Sequence, residues 1–480
     1  MKIFNKILNR SNSYNYYKSE NLKLEKKLEE CDFKYNNLLE KIDSLNTIEN
    51  NLKELILEID NIKIQNNLNR LKNKTIKGKK INILFITDVS NIMWDSLIEL
   101  LEKDPIFNPK ICVIPPAFYF DLFKNGIDEV QKKAFDDIYT YFKNKGFNVI
   151  KGFNEEFRTF IDIESELNPD IIFYSNPHPS AFPPEYRISN LSKNLLYCYI
   201  PYSMNNHESP ETIFNRELHK KAWKLFYETK KHVELSTKYS DVGSSNVVLV
   251  GCSRMDSLVD GSYEKYPKIW ESKNFEKIKI VWAPHHTINI SRNKPSYSTF
   301  LDNYKFFYEY AKSNKNIEWI FKPHPNLIHT IKHYNERYDN NNEEINLENF
   351  QKYYEKWNKL PNASLHDKGD YINIFVNSDA MITDSVSFIS EYLYFNKPGL
   401  LLRNPHRKLN EFGEIASKGW YQVDGNDFEG IEDFIDTVLV KKEDSLENNR
   451  KEIYDKYLNT KGITAGNTIY NHIKKEILDK

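Results

Sequence analysis

The chain has 480 residues, too many for one hydrophobic core of ordinary size, so two or three domains are expected. Hydrophobic residues make up 40% and charged residues 28%, the balance of a globular protein. Lys and Arg (67) nearly cancel Asp and Glu (68), which argues against a nucleic-acid binder that relies on bulk positive charge, and no nucleic-acid partner is expected. The four cysteines, Cys31, Cys112, Cys198 and Cys252, form no C-x-x-C pair. They suggest neither a disulfide framework nor a zinc site, and point to a reducing compartment. Met1 through Lys27 is polar and lacks the apolar core of a signal peptide. With no run of about 18 apolar residues, a cytoplasmic chain is expected, any membrane role being peripheral on the inner face.

Residues 20–72 contain no Pro or Gly. Apolar or aromatic residues recur there at alternating steps of three and four: Leu28, Cys31, Tyr35, Leu38, Ile42 and Leu45, then Leu52, Ile56 and Ile59. That heptad pattern predicts a coiled coil, and with it a homo-oligomer. The alternative is one amphipathic helix folded back on the globular part. A basic hinge, Lys77-Gly78-Lys79-Lys80, follows, so residues 1–76 are read as coiled coil and linker.

At Ile81 the character changes. Ile81–Thr87 reads as a buried strand and Ile92–Glu102 as a helix; further strands are predicted at Lys110–Ile114, Asp170–Tyr174, Leu195–Tyr199 and Asn246–Val250. Strands alternating with helices predict a parallel sheet covered by helices, here residues 77–262. A second series over residues 263–480 has strands at Lys279–Trp282, Ile317–Phe321, Ala380–Thr383 and Gly399–Leu402. Its helices are expected at Ser298–Ala311, Glu348–Trp357, Ser387–Tyr394 and Ile431–Val438, with Thr464–Leu478 packing back on the other half. Two Rossmann-like halves facing a cleft would bind ligands beyond the carboxyl ends of their strands.

Four strand ends carry chemistry. Lys322-Pro323-His324-Pro325 follows Phe321; a Lys and a His there can meet a phosphate, and the prolines stiffen the loop. Thr383-Asp384-Ser385-Val386-Ser387 closes a strand and opens a helix. Its reading is either simple capping or a phosphate held by N–H groups and hydroxyls, with Glu391 one turn on for a ribose. Arg254, in Gly251-Cys252-Ser253-Arg254-Met255-Asp256, either pairs with a phosphate or forms an inter-domain ion pair with Asp256 or another carboxylate. Ala283-Pro284-His285-His286-Thr287 offers a general base; adjacent histidines on a turn are expected to point apart, so no joint metal site is read from them. No Asp-x-Asp, Walker loop or G-x-G-x-x-G occurs, which disfavours an obligatory metal, a kinase and a nicotinamide enzyme.

In order, G-C-S-R-M-D at 251–256, W-A-P at 282–284, K-P-H-P at 322–325 and I-T-D-S-V-S with E-Y and K-P at 382–398 resemble the CDP-glycerol glycerophosphotransferase family of teichoic-acid-type polymerases and primases. The resemblance covers residues 195–440. It implies a GT-B fold and transfer of a phosphoglycerol-type group from a CDP-linked donor to a hydroxyl of a lipid-linked saccharide or polymer, in teichoic-acid or capsule synthesis. It also implies donor contacts from Arg254, Lys322, Asp384, Ser385, Ser387 and Glu391, and a catalytic His324. The family's His-Gly motif, whose His is taken as the general base, has no counterpart in Tyr199–Asn206. His207 and His178 are the candidates to replace it, while His285 is the general-base candidate at its own strand end. A GT-B glycosyltransferase using a nucleotide sugar, or a non-catalytic scaffold for a polysaccharide-assembly complex, are the alternatives.

Overall fold

The computed structural model describes residues 2–90, 94–116, 129–192, 194–208, 213–265, 270, 277–288, 296–334, 343–367 and 371–478. The chain divides into two compact units, Met1–Gln65 and Asn66–Lys480. The first is made by helix α1, which runs without interruption from Lys2 to Ile76. Leu28, Tyr35, Leu38, Ile42, Leu45, Leu52, Ile56 and Ile59 are all exposed on the single chain.

The second unit begins with the last turns of α1, where Leu68 and Leu71 are buried. Arg70 and Lys74 pair with Asp170, whose carboxylate also accepts from the Asn82 backbone N–H at 2.9 Å. The helix stops at Gly78, in the left-handed region at φ +68°, where Lys79 N–H reaches back to Lys74 O. That is the glycine-terminated C-cap expected where a helix must turn sharply.

Two parallel sheets follow. The first has β1 (Ile81–Thr87), β2 (Phe107–Val113), β3 (Val149–Lys151), β6 (Ile171–Tyr174), β7 (Leu196–Tyr199), β8 (Lys224–Tyr227) and β9 (Val247–Leu249), in the order β3-β2-β1-β6-β7-β8-β9. A small antiparallel pair, β4 (Phe153–Asn154) with β5 (Thr159–Phe160), stands beside it. The second has β10 (Ile278–Ala283), β11 (Ile317–Phe321), β12 (Ala363–Leu365), β13 (Ala380–Thr383), β14 (Gly399–Arg403) and β15 (Tyr421–Asp424), in the order β12-β11-β10-β13-β14-β15. In both sheets the winding direction reverses once: between β1 and β6, and between β10 and β13. The central strands are apolar nearly throughout because helices cover both faces. This is a GT-B-like architecture: mixed α/β with two parallel sheets and a long N-terminal helix.

The predicted strands are present with ends shifted by at most three residues, and Ile81–Thr87, Ile317–Phe321 and Ala380–Thr383 hold unchanged. The edge strands β3, β12 and β15 and the internal strand β8 were not anticipated. The helix predicted at 92–102 is α2, Asp95–Lys103; residues 92 and 93 lie outside the described residues. The C-terminal helix Ala465–Leu478 packs back onto the first sheet's helix layer, as expected. Tyr470 and Lys474 both reach the Asp104 carboxylate at 2.7 Å. Asp256 accepts from Ala465 N–H (2.7 Å) and Gly466 N–H (2.8 Å). A Cβ at Gly466 would lie 2.2 Å from Ser96 Oγ, so only glycine permits this approach to α2.

Removing the acceptor at position 170 would strand the Lys74 ammonium and the Asn82 N–H. Asp170→Ala is therefore expected to lower stability by about 3 kcal/mol in urea unfolding. A loss below about 1 kcal/mol would show that the α1–sheet anchor behaves as an exposed pair.

Candidate active site

Three neighbouring strands of the second sheet, β11, β10 and β13, end at the loops singled out by sequence, and the winding reversal falls between β10 and β13. Their carboxyl ends are stitched together. Thr383 Oγ1 donates to Ala283 O, and Lys322 N–H to Trp282 O at 2.8 Å. His324 N–H donates to Pro284 O at 3.0 Å. Asp384, 1% exposed, accepts from His285 N–H on Oδ1 and from Thr299 N–H and Oγ1–H on Oδ2. Burial raises its carboxyl pKa, against the pull of these donors. The Asp384 side chain thus holds the β10 loop and the segment before helix Phe300–Ser313.

His285, His286 and His324 come together, with ring centroids 4.5 Å apart for 285–286, 4.3 Å for 286–324 and 5.2 Å for 285–324. This corrects the expectation that the adjacent histidines point apart. The chain bends at His286, and Thr287 N–H folds back to donate to His285 Nδ1 at 3.3 Å. Burial, with the other imidazoles and Arg407 adding, lowers the His285 pKa well below its ordinary value. Burial, then His286 and Lys322, does the same at His324. Both are neutral near pH 7.

Arg254 and Glu391 meet at the seam. Arg254 Nε lies 3.6 Å from Glu391 Oε1, and Tyr371 O–H donates to Glu391 Oε2. Arg254 and Lys322 both stand over the Tyr371 ring, at 5.6 and 5.1 Å from its centroid. The Arg254–carboxylate pair weighed from sequence is present, but with Glu391 as partner. Nη1 of Arg254 is buried and has no hydrogen-bond partner among the described residues. The Glu391 carboxylate, raised in pKa chiefly by burial, is engaged by Arg254 and Tyr371. Ser385 is buried, its N–H bonded to Thr383 Oγ1 at 2.9 Å. Ser387 sits at the N-cap of the short helix Phe388–Glu391, and its side chain makes no capping bond.

From the first sheet, the loop after β7 reaches across. Asn206 donates to Val386 O at 2.8 Å and accepts from Ser390 Oγ at 2.9 Å. His207 pairs with Leu409 in an isolated bridge, and its Nδ1 lies 2.9 Å from Tyr297 O–H. His178 begins the short turn after β6. Burial lowers both pKa values to about 4, helped at His207 by His178 and at His178 by Arg216. Tyr371, Thr299, Tyr297 and Arg407 were missed in the sequence. Arg407 donates to Tyr297 O, Asp384 O and Leu402 O, and burial lowers its pKa to about 10, so it stays charged. A basic residue just past the β14 strand end was its only signal.

This site lies at the winding reversal of a GT-B-like sheet, beyond the carboxyl ends of its strands. Residues 202–407 match the family model described as CDP-Glycerol:Poly(glycerophosphate) glycerophosphotransferase, and the resemblance read from the motifs holds over that segment. No curated protein matches the sequence. Among solved structures the chain is similar in fold to an S. aureus MnaA–UDP co-structure (16% identity, TM-score 0.51, 82% of this chain and 96% of that one). It is also similar to a putative UDP-N-acetylglucosamine 2-epimerase from Listeria monocytogenes (14%, 0.52, 84% and 97%). A third likeness is to the wall teichoic acid polymerase TagF, in a variant soaked with CDPG (14%, 0.50, 87% and 98%).

An imidazole with an ordinary pKa near 6.5 when unfolded and about 4 when folded binds more protons in the unfolded chain between those values. Stability should therefore be full above about pH 6.5 and fall as the pH drops toward 4. His207→Gln is expected to flatten that slope in melts at several pH values. An unchanged slope would mean that His207 is not a buried neutral imidazole.

Proposed function

We propose that this chain transfers a phosphoglycerol-type (phosphoalditol) group from a CDP-linked donor to a hydroxyl of a cell-surface polysaccharide or teichoic-acid-like acceptor. The observation that carries the reading is the junction of the β10, β11 and β13 loops, where Lys322, two residues before His324, and a buried Arg254 both stand over the Tyr371 ring, Nη1 of Arg254 lacking a hydrogen-bond partner among the described residues. Two further facts support it: the family match spans these loops, and TagF, of similar fold, has been soaked with CDPG.

In this reading the acceptor O–H loses its proton to a neutral imidazole and its oxygen attacks the β-phosphorus. The bond from that phosphorus to the bridging oxygen breaks, and CMP leaves with the electron pair. Lys322, His324 and Arg254 neutralise the charge gathering on CMP. Glu391 and Tyr371 position Arg254; Asp384 positions the His285 loop; Ser385 and Ser387 line the β13 end. His207 and His178 supply the base from the first sheet, because low pKa values leave their lone pairs unprotonated at neutral pH. No helix among the described residues is long and apolar enough to cross a membrane, so a lipid-linked acceptor would be met peripherally.

Product analysis tests the reading. CDP-glycerol with an acceptor should yield CMP. Release of UDP or GDP from a nucleotide sugar would move the assignment to glycosyl transfer, and binding of no nucleotide would favour a scaffold. His324→Ala is expected to lower kcat by about 10²–10³-fold with an unchanged Tm, since such a donor acts mainly in the transition state. Normal turnover in a folded variant would remove His324 from the chemistry.

The exposed heptad face of α1 supports self-association through a coiled coil. Deleting residues 1–65, which leaves the buried Leu68 and Leu71 in place, should lower the mass seen by light scattering and preserve turnover on a soluble acceptor. An unchanged mass would contradict the coiled coil.

A further inference from the structure

The ring nitrogens of His285, His286 and His324 that face one another all lie within 4.8 Å, a grouping that a divalent metal could draw together. The protons decide against it. Asn326 N–H donates to His324 Nδ1 at 3.1 Å, and Thr287 N–H donates to His285 Nδ1 at 3.3 Å. A nitrogen that accepts a hydrogen bond carries no proton, so in the neutral ring the proton is on Nε2. A ligating imidazole needs the reverse: a lone pair toward the metal and its N–H toward a second acceptor. In His285 and His324 the Nδ1 lone pair is already used by backbone, and Nε2 is a donor. Thr287 Oγ1 accepts from Tyr297 N–H at 3.0 Å and lies 2.9 Å from His285 Nδ1, which ties the β10 loop to the same imidazole. The nearby charges act in the same sense. Lys322 and Arg407 are cationic, and the Asp384 carboxylate is taken up by three donors.

We propose that His285, His286 and His324 form an anion cradle of imidazole N–H donors that takes phosphate oxygens, and that the cluster is not a metal site. The proposal rests on the donor-phosphate reading above for the identity of its natural ligand, a nucleoside diphosphate ester, and adds His285 and His286 to its binding. Backbone N–H groups set the tautomers, so the donors are oriented before the anion arrives.

Calorimetry on the full chain with inorganic pyrophosphate, CDP and zinc chloride tests it. Pyrophosphate and CDP should bind, and His285→Ala/His286→Ala should weaken both by about 10- to 100-fold, the loss expected when hydrogen bonds to a charged group are removed. His285→Gln/His286→Gln, which keeps an N–H at similar reach, should restore most of that affinity and guards against misfolding of the Ala pair. Long-range ¹H–¹⁵N spectra should show the Nε2–H tautomer at His285 and His324. Tight zinc binding that His324→Ala abolishes would overturn the proposal, as would Nδ1–H tautomers or unchanged pyrophosphate affinity in the folded Ala pair. Histidine-dependent pyrophosphate binding without CMP release would keep the cradle and end the transferase reading. CMP release that the Ala pair leaves intact would end the cradle alone.

Discussion

The interaction on which the candidate site depends is the buried carboxylate of Asp384. It stands at the end of β13, on the far side of the winding reversal from β10 and β11. By accepting from His285 N–H and from both donors of Thr299, it fixes the β10 loop and the start of the helix that follows. A buried carboxylate is costly unless its oxygens are satisfied, and here backbone N–H groups satisfy them. Exchanging it for an apolar residue would leave those N–H groups unpaired in the crevice where a ligand would sit. The histidine arrangement follows from this clamp: His285 is held by its backbone, His324 by its N–H on Pro284 O, and Nδ1 of each by a neighbouring N–H.

The seam between the two sheets is polar and well bonded. Asn206 reaches Val386 and Ser390, and Asn410 returns bonds to Asn205 O and Asn206 O. Gly413 allows this, since a Cβ there would meet Asn206 O at 2.8 Å. The loop after β7, in which the family's His-Gly motif has no counterpart, is therefore tied into the second sheet's site. His207 is brought to Tyr297, which also packs edge-on against His285. One candidate base from the first sheet, His207, and a donor-side group from the second, His285, meet on one tyrosine.

Much of this was legible in the sequence. The central strands announce themselves as short, mostly apolar runs, because both faces of a parallel sheet are covered. K-P-H-P and T-D-S-V-S were placed correctly at strand ends. The edge strands β3, β12 and β15 escaped because they are short and partly exposed: Tyr421-Gln422-Val423-Asp424 alternates without a distinct apolar run. Side-chain partners were less legible. Glu391 was read as a ribose contact, yet Tyr371 and Arg254 engage its carboxylate in the structure. Tyr371 is 117 residues from Arg254 in sequence, and only the packing of the two halves makes them neighbours. The meeting of His285 with His286 likewise depends on a local bend that residue types do not encode.

The central claim is that donor phosphates bind where β10, β11 and β13 end. A crystal structure of the full chain with CDP tests it most directly. The account predicts the pyrophosphate within hydrogen-bonding distance of His324 and Lys322, with Arg254 turned toward it and the Asp384 contacts unchanged. A nucleotide bound at the ends of β1 and β6 instead, with the histidine cluster untouched, would contradict it.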